Sequence, residues 1–269
     1  MGAEGTPQIM LARFLKHHNS EKINTLDMEK SLYLIILVYF ALGAIAFAII
    51  GKGKSRIKKR EIWTKYVTYF LIIHIIYFGI LFSPPWFSIL AAIMIVAGLG
   101  EITWLNLCQP SSENNRIFLL SLLIFLLFAI PFFLFSLLER SVLLYVFIIV
   151  MVFDAFSQIS GQLFGGRKLI PSISPQKTLS GLIGGIVAAL VTTLFAAELI
   201  KENLGSAMFI TAIIVIFALI GDLLASFYKR KNGVKDFSNL LPGHGGFLDR
   251  FDGFIPAGAV MYVLNILLP

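Results

Sequence analysis

Eight long apolar runs, at roughly residues 31–50, 66–83, 86–106, 117–138, 141–160, 181–200, 207–225 and 251–268, dominate this chain. A helix rises ~1.5 Å per residue and a bilayer's hydrocarbon core is ~30 Å thick, so each run can cross it or nearly so. The expected fold is therefore all-α: a polytopic integral membrane protein with about eight transmembrane helices. Composition agrees, since 58% of the 269 residues are hydrophobic and 14% charged, against ~45–50% and ~25% in soluble domains. That excludes a soluble globular enzyme. It also excludes disorder, and the single Cys108 excludes a disulfide scaffold. The net charge of +7 is too small to argue for nucleic acid, and anionic lipid or a phosphorylated substrate suits it as well.

Ser83-Pro84-Pro85 cannot continue a helix, so the second and third runs read as a hairpin of two spans. Pro131 is expected to kink the fourth. Residues 1–30 are polar and lack the apolar core and cleavage site of a secretory signal. They read as an extramembrane tail with a short surface helix at 8–16, and residues 31–269 as one transmembrane domain. Lys and Arg total 16 in the odd-numbered connections against 6 on the other side, which puts the odd connections in the cytoplasm. Glu101, Asp154, Asp222 and Asp252 then all fall at cytoplasmic ends of spans. An acid inside a span is costly and asks for a cation, a metal or a hydrogen-bonded pocket. For Glu101 and Glu198 the favoured reading is instead an interfacial carboxylate solvated by headgroup water, which for Asp222 is the lesser one.

The chemistry gathers between residues 222 and 252. If the seventh helix runs to its end, Asp222, Ser226 and Lys229 share one face at i, i+4 and i+7, a stripe able to hold a divalent ion and the phosphate it bridges. Lys235-Asp236 follows, then Leu241-Pro242-Gly243-His244-Gly245-Gly246, whose glycines permit a phosphate nest of backbone N–H groups. Asp249 and Asp252, three apart at the opening of the last run, are natural oxygen ligands for Mg²⁺. Asp154 lies on the same side.

Ser226 through Arg230, Lys235-Asp236 and Pro242-Gly243-His244-Gly245-Gly246-Phe247-Leu248-Asp249-Arg250-Phe251-Asp252 resemble the signature of the phosphatidate cytidylyltransferases, or CDP-diacylglycerol synthases. Asp154, Gly161 to Gly166, Lys168, Pro171 and Ser174-Pro175-Gln176-Lys177-Thr178 resemble that family's other characteristic segment. Two positions differ: Ser180 stands where the family usually has Glu or Gln, and Ala225 where it usually has Glu.

The resemblance implies transfer of CMP from CTP to phosphatidic acid, giving CDP-diacylglycerol and pyrophosphate, in the plasma membrane of a bacterium with the site on the cytoplasmic side. It implies Mg²⁺, with a second cation as an option, and a homodimer. Asp222 and Asp249 would be metal ligands supported by Asp252 and Asp154. Lys229, Arg250, Arg230, Lys235 and Lys177 would bind phosphates, Ser174, Thr178 and Ser226 would add hydroxyls, and Asp236 and His244 with Gly243, Gly245 and Gly246 would shape the phosphate turn. The rival readings are an isoprenoid-lipid cytidylyltransferase or lipid kinase, a secondary transporter of an anionic solute, and an inactive scaffold.

Overall fold

A computed structural model describes the backbone of residues 7–82, 84–108, 112–241 and 245–267, and side chains from residue 29 onward except those of 84 and 112–114. Two compact units make up the chain, Met1–Leu42 and Gly43–Pro269. The first is occupied by helix α1 (Pro7–Gly51), which ends in the second. The stretch expected as a tail with a surface helix at 8–16 is thus continuous helix from Pro7. Pro suits a helix start, and neither Gly nor Pro recurs until Gly43.

The second unit continues with α2 (Arg56–Phe82), α3 (Pro84–Cys108), α4 (Ser112–Phe135) and α5 (Arg140–Phe164). A hairpin of β1 (Lys168–Ile170) and β2 (Ser174–Thr178) follows, then α6 (Leu179–Ala196), α7 (Leu204–Lys231), the single turn α8 (Leu248–Phe251) and α9 (Phe254–Leu267). Among the described residues seven helices are long and apolar enough to cross a membrane. The eighth run is shorter than expected: α9 has 14 residues and spans only ~21 Å. Its start is displaced to Phe254 because the chain turns at Asp252-Gly253, where Gly253 lies against the Ala218 carbonyl of α7. α4 runs through Pro131 to Phe135.

α5 is the hub. Its residues Leu143 to Phe153 are all buried, as expected of a helix packed on every side, here by α2, α6, α7 and α9. α6 turns small residues inward (Gly181, Gly185, Ala189, Ala196) and bulky ones outward (Ile183, Val187, Val191, Leu194, Phe195). Lipid is as apolar as Leu, so close packing of small residues supplies helix association in a bilayer. A Cβ at Gly184 or Gly185 would overlap the hydroxyl of Ser160 or Ser157. At the far end of these helices the Tyr145 hydroxyl donates to the Ala207 carbonyl (3.0 Å) and meets Thr211 (2.6 Å), which in turn meets Thr193 (2.7 Å). That polar knot satisfies its own members and joins α5, α6 and α7.

Candidate active site

The segment between α5 and α6, expected only as a loop, is the hairpin, and its local chemistry explains it. Gly165 and Gly166 take positive φ (61° and 95°) and end α5, with Gly165 N–H bonded to the Gly161 carbonyl. The strands pair antiparallel, Lys168 with Thr178 and Ile170 with Ser174. Thr178 then caps α6 by accepting from Gly181 N–H (3.1 Å). Ser180, at one of the two divergent positions, donates to the Gly165 carbonyl and meets Thr178 Oγ1 (3.0 Å). The Thr178 hydroxyl therefore serves the turn. The hairpin delivers Lys177 onto α7, where Nζ lies 2.5 Å from Asp222 Oδ2 in a partly exposed pair. Ser174 sits at the opposite end of β2.

α7 continues to Lys231, so Asp222, Ser226 and Lys229 do share a stripe. Ser226 Oγ donates to Asp222 Oδ1 (3.3 Å). Arg230 leaves the stripe, giving Nε to the Ile173 carbonyl (3.2 Å) and Nη1 to that of Val234 (2.8 Å). It ties hairpin to helix end. Lys235 is exposed. Gly221 lets Asp252 approach Asp222: a Cβ there would overlap the Asp252 carbonyl oxygen and come 2.6 Å from Pro256 Cγ. Asp154 and Asp252 both lie in the electrostatic field of Asp222, with Lys177 and Arg250 facing them. Desolvation first, then the Asp222 charge, hold the Asp252 carboxyl well above the usual carboxylate range. Arg250 Nε is buried and has no hydrogen-bond partner among the described residues. Tyr69 of α2, which carried no signal in the sequence, interacts electrostatically with Asp154 and Arg250.

Asp249 behaves differently from its neighbour at position 252. Its side chain is 2% exposed and pairs with Lys229, itself 8% exposed. Its other oxygen accepts from Phe237 N–H (2.9 Å) and Gly246 N–H (2.7 Å). Lys229 also lies over the Phe237 ring, 5.2 Å from its centroid, and within the field of Asp252. Both Asp249 oxygens are thus engaged by the protein's own donors. Gly245 has φ +80°, with a Cβ position 2.7 Å from Asp236, and its carbonyl accepts from Leu241 N–H (2.9 Å). Pro242, Gly243 and His244 lie outside the described residues.

Glu101 is the residue that sequence reasoning undervalued. Far from being a solvated interfacial acid, it is 5% exposed. Oε1 accepts from Ser238 Oγ (2.6 Å) and Phe247 N–H (2.8 Å), and Oε2 from Leu248 N–H (2.6 Å).

Among the described residues no three acids, histidines or cysteines surround a point able to hold a metal. Mg²⁺ needs less, because it takes one or two carboxylates and completes its shell with water and substrate phosphate. Asp222 and Asp252, which share one electrostatic field, are the two carboxylates that would answer that smaller demand. Lys177 already provides a cation at Asp222.

Fold and site together define a polytopic membrane protein with an acid–base cluster at one end of its bundle, suited to handling polyanions. The profile of the cytidylyltransferase family matches residues 30–268; the chain belongs to that family. It is 32% identical to a phosphatidate cytidylyltransferase of Rickettsia felis over 233 residues, 81% of this chain and 100% of the relative. With that of Rickettsia prowazekii it shares 33% over 222 residues, 78% of this chain and 94% of the relative. A phosphatidate cytidylyltransferase of Staphylococcus haemolyticus is 44% identical over 128 residues, 47% of this chain and 48% of the relative.

Proposed function

We propose that this chain is a phosphatidate cytidylyltransferase. A phosphate oxygen of phosphatidic acid attacks the α-phosphorus of CTP, the α–β anhydride breaks, and pyrophosphate leaves with the bond's electron pair. The observation that supports the reading is the Lys177–Asp222 pair on α7, with Asp252 in the electrostatic field of Asp222, Lys177, Lys229 and Arg250. A phosphomonoester has a second pKa of ~6 and is already mostly ionised at pH 7, so the nucleophile needs little help from a base. The obstacle is repulsion between two polyanions. Lys177, Lys229 and Arg250 offset it by binding phosphates, and preorganised charge of this kind is where catalysis of phosphoryl transfer chiefly resides.

Asp222 and Asp252 would hold Mg²⁺, with Asp154 beside them, and the metal would neutralise charge on the triphosphate and the leaving pyrophosphate. The site faces the cytoplasm of a bacterial cell, as the surplus of Lys and Arg in the odd connections supports. The acyl chains stay in lipid while the headgroup rises to the site. The homodimer implied by the family resemblance belongs to the same proposal, and cross-linking in membranes tests it. The deciding experiment reconstitutes the full chain in vesicles with labelled CTP and phosphatidate, with and without Mg²⁺. Labelled CDP-diacylglycerol is expected only with the metal. Labelling of a polyprenyl phosphate in place of phosphatidate, or of no lipid, refutes the reading.

A further inference from the structure

Glu101 projects from α3, a helix that contributes no other acid to the region, yet its carboxylate binds the segment carrying Asp249 and Arg250. The partners lie 137, 146 and 147 residues away in sequence. Ser238 stands midway along the segment that leads from α7 to α8; Phe247 ends that segment and Leu248 opens α8. One carboxylate therefore ties the middle of the segment to its end. Gly246 makes the closure possible, since a Cβ there would come 2.8 Å from Glu101 Oε1 and 2.9 Å from Asp249 Oδ2. The two acids grip the same stretch of backbone, Asp249 through Gly246 N–H and Glu101 through the next two amides. Alongside, the Tyr228 hydroxyl donates to the Ile102 carbonyl (3.0 Å), fixing α3 to α7.

Charge-assisted hydrogen bonds to a buried carboxylate are short and roughly twice as strong as neutral ones. A buried carboxylate also needs its donors, or it carries its full desolvation cost. Glu101 meets both conditions without any salt bridge to its own carboxylate among the described residues, so its charge is satisfied by loop donors alone. Phe247 and Leu248 directly precede Asp249 and Arg250 in the chain.

We propose that Glu101 is a positioning residue for the transfer reaction: by holding the amides of Phe247 and Leu248 it aims Asp249 and Arg250, without itself touching substrate. The inference rests on the reading of the site as a cytidylyltransferase centre. Glu101→Gln keeps the shape but replaces one acceptor oxygen by a donor, so at least one of the three bonds becomes a donor facing a donor. A misplacement of ~1 Å in a catalytic group can cost ~10²-fold, so the variant is expected to lose at least tenfold in kcat.

The test measures the full chain in vesicles by two readouts. Amide exchange at Phe247 and Leu248 should accelerate at least tenfold in Glu101→Gln, while exchange in α5 and α6 stays unchanged. The kcat should fall at least tenfold, with the KM for phosphatidate within twofold of wild type. Unchanged exchange, or faster exchange with wild-type kcat, overturns the proposal, as does a general loss in which every segment exchanges faster. If Glu101→Gln does not fold, Ser238→Ala is read by the same criteria, with a two- to fourfold fall in kcat expected. Failure of the wild type to make CDP-diacylglycerol would sink the functional reading, whereas the exchange measurement still decides whether the clasp exists.

Discussion

Gly221→Ala separates two physical accounts by sign. Gly is ~0.8–1.0 kcal/mol worse than Ala inside a helix, so propensity alone predicts a more stable protein. The packing predicts the reverse. A Cβ at residue 221 would lie 2.6 Å from Pro256 Cγ and 3.1 Å from the Asp252 carbonyl carbon, and overlap that carbonyl's oxygen. Carbon atoms in contact sit ~3.5–4.0 Å apart, so the Asp252–Pro256 segment must retreat by roughly 1 Å. Overpacking of this kind costs about 1–3 kcal/mol, which exceeds or cancels the propensity gain. The functional loss should be larger than the stability loss, because a shift of ~1 Å moves Asp252 away from Asp222 and can cost ~10²-fold in turnover. Gly100 provides the control: it lies inside α3 with nothing near its Cβ position, so Gly100→Ala should leave melting and turnover near wild type. The assay is cytidylyl transfer in vesicles beside a thermal melt of the same preparation. Wild-type kcat with a raised Tm in Gly221→Ala would refute the claim that close approach of α7 to residues 252–256 builds the site.

Four further outcomes follow from the same contacts. Asp222→Asn should abolish Mg²⁺-dependent labelling with little change in melting, because its pair with Lys177 is partly open to solvent and such pairs contribute ~0–1 kcal/mol. Asp249→Asn should abolish activity and also destabilise by about 3–5 kcal/mol, since it strands the buried Lys229 charge; an unshifted Tm would contradict the buried pair. Thr178→Ala should cost about 1 kcal/mol through the lost cap of α6, measured as a lower Tm. Because the folded Asp252 carboxyl is raised above its unfolded value of ~3.9, the folded state binds the extra proton and stability without metal falls as pH rises from about 4 toward the raised value. Asp252→Asn should flatten that fall in a melt-versus-pH series.

Parts of this site were legible because helical periodicity reports a face. The stripe of Asp222, Ser226 and Lys229 needed only that α7 continue past the apolar run to Lys231, which it does. The hairpin was not legible: residues 165–180 show Gly-Gly and two prolines and no alternation. The strands follow from tertiary closeness, since α5 and α6 meet at Gly161 and Gly181 and the chain between them must double back. Glu101 stood out as an acid in a span, but its partners were not legible, for another reason. Two of its three partners are backbone N–H groups, which every non-proline residue carries, so nothing in the sequence marks them as waiting for an acid.

The four aspartates show where side-chain identity stops being informative. Asp249 and Asp252 are the same residue type three positions apart, and sequence spacing gives them one role as joint ligands. Their surroundings assign them differently. Asp249 is held by Lys229 and two amides, whereas Asp252 has burial first and then the Asp222 charge opposing its ionisation. Lys229 joins the two, paired with one and in the field of the other. A polyanionic nucleotide arriving beside Lys229 would compete with Asp249 for it, and the backbone grip of Asp249 and Glu101 is what would keep the loop in place while that charge is shared.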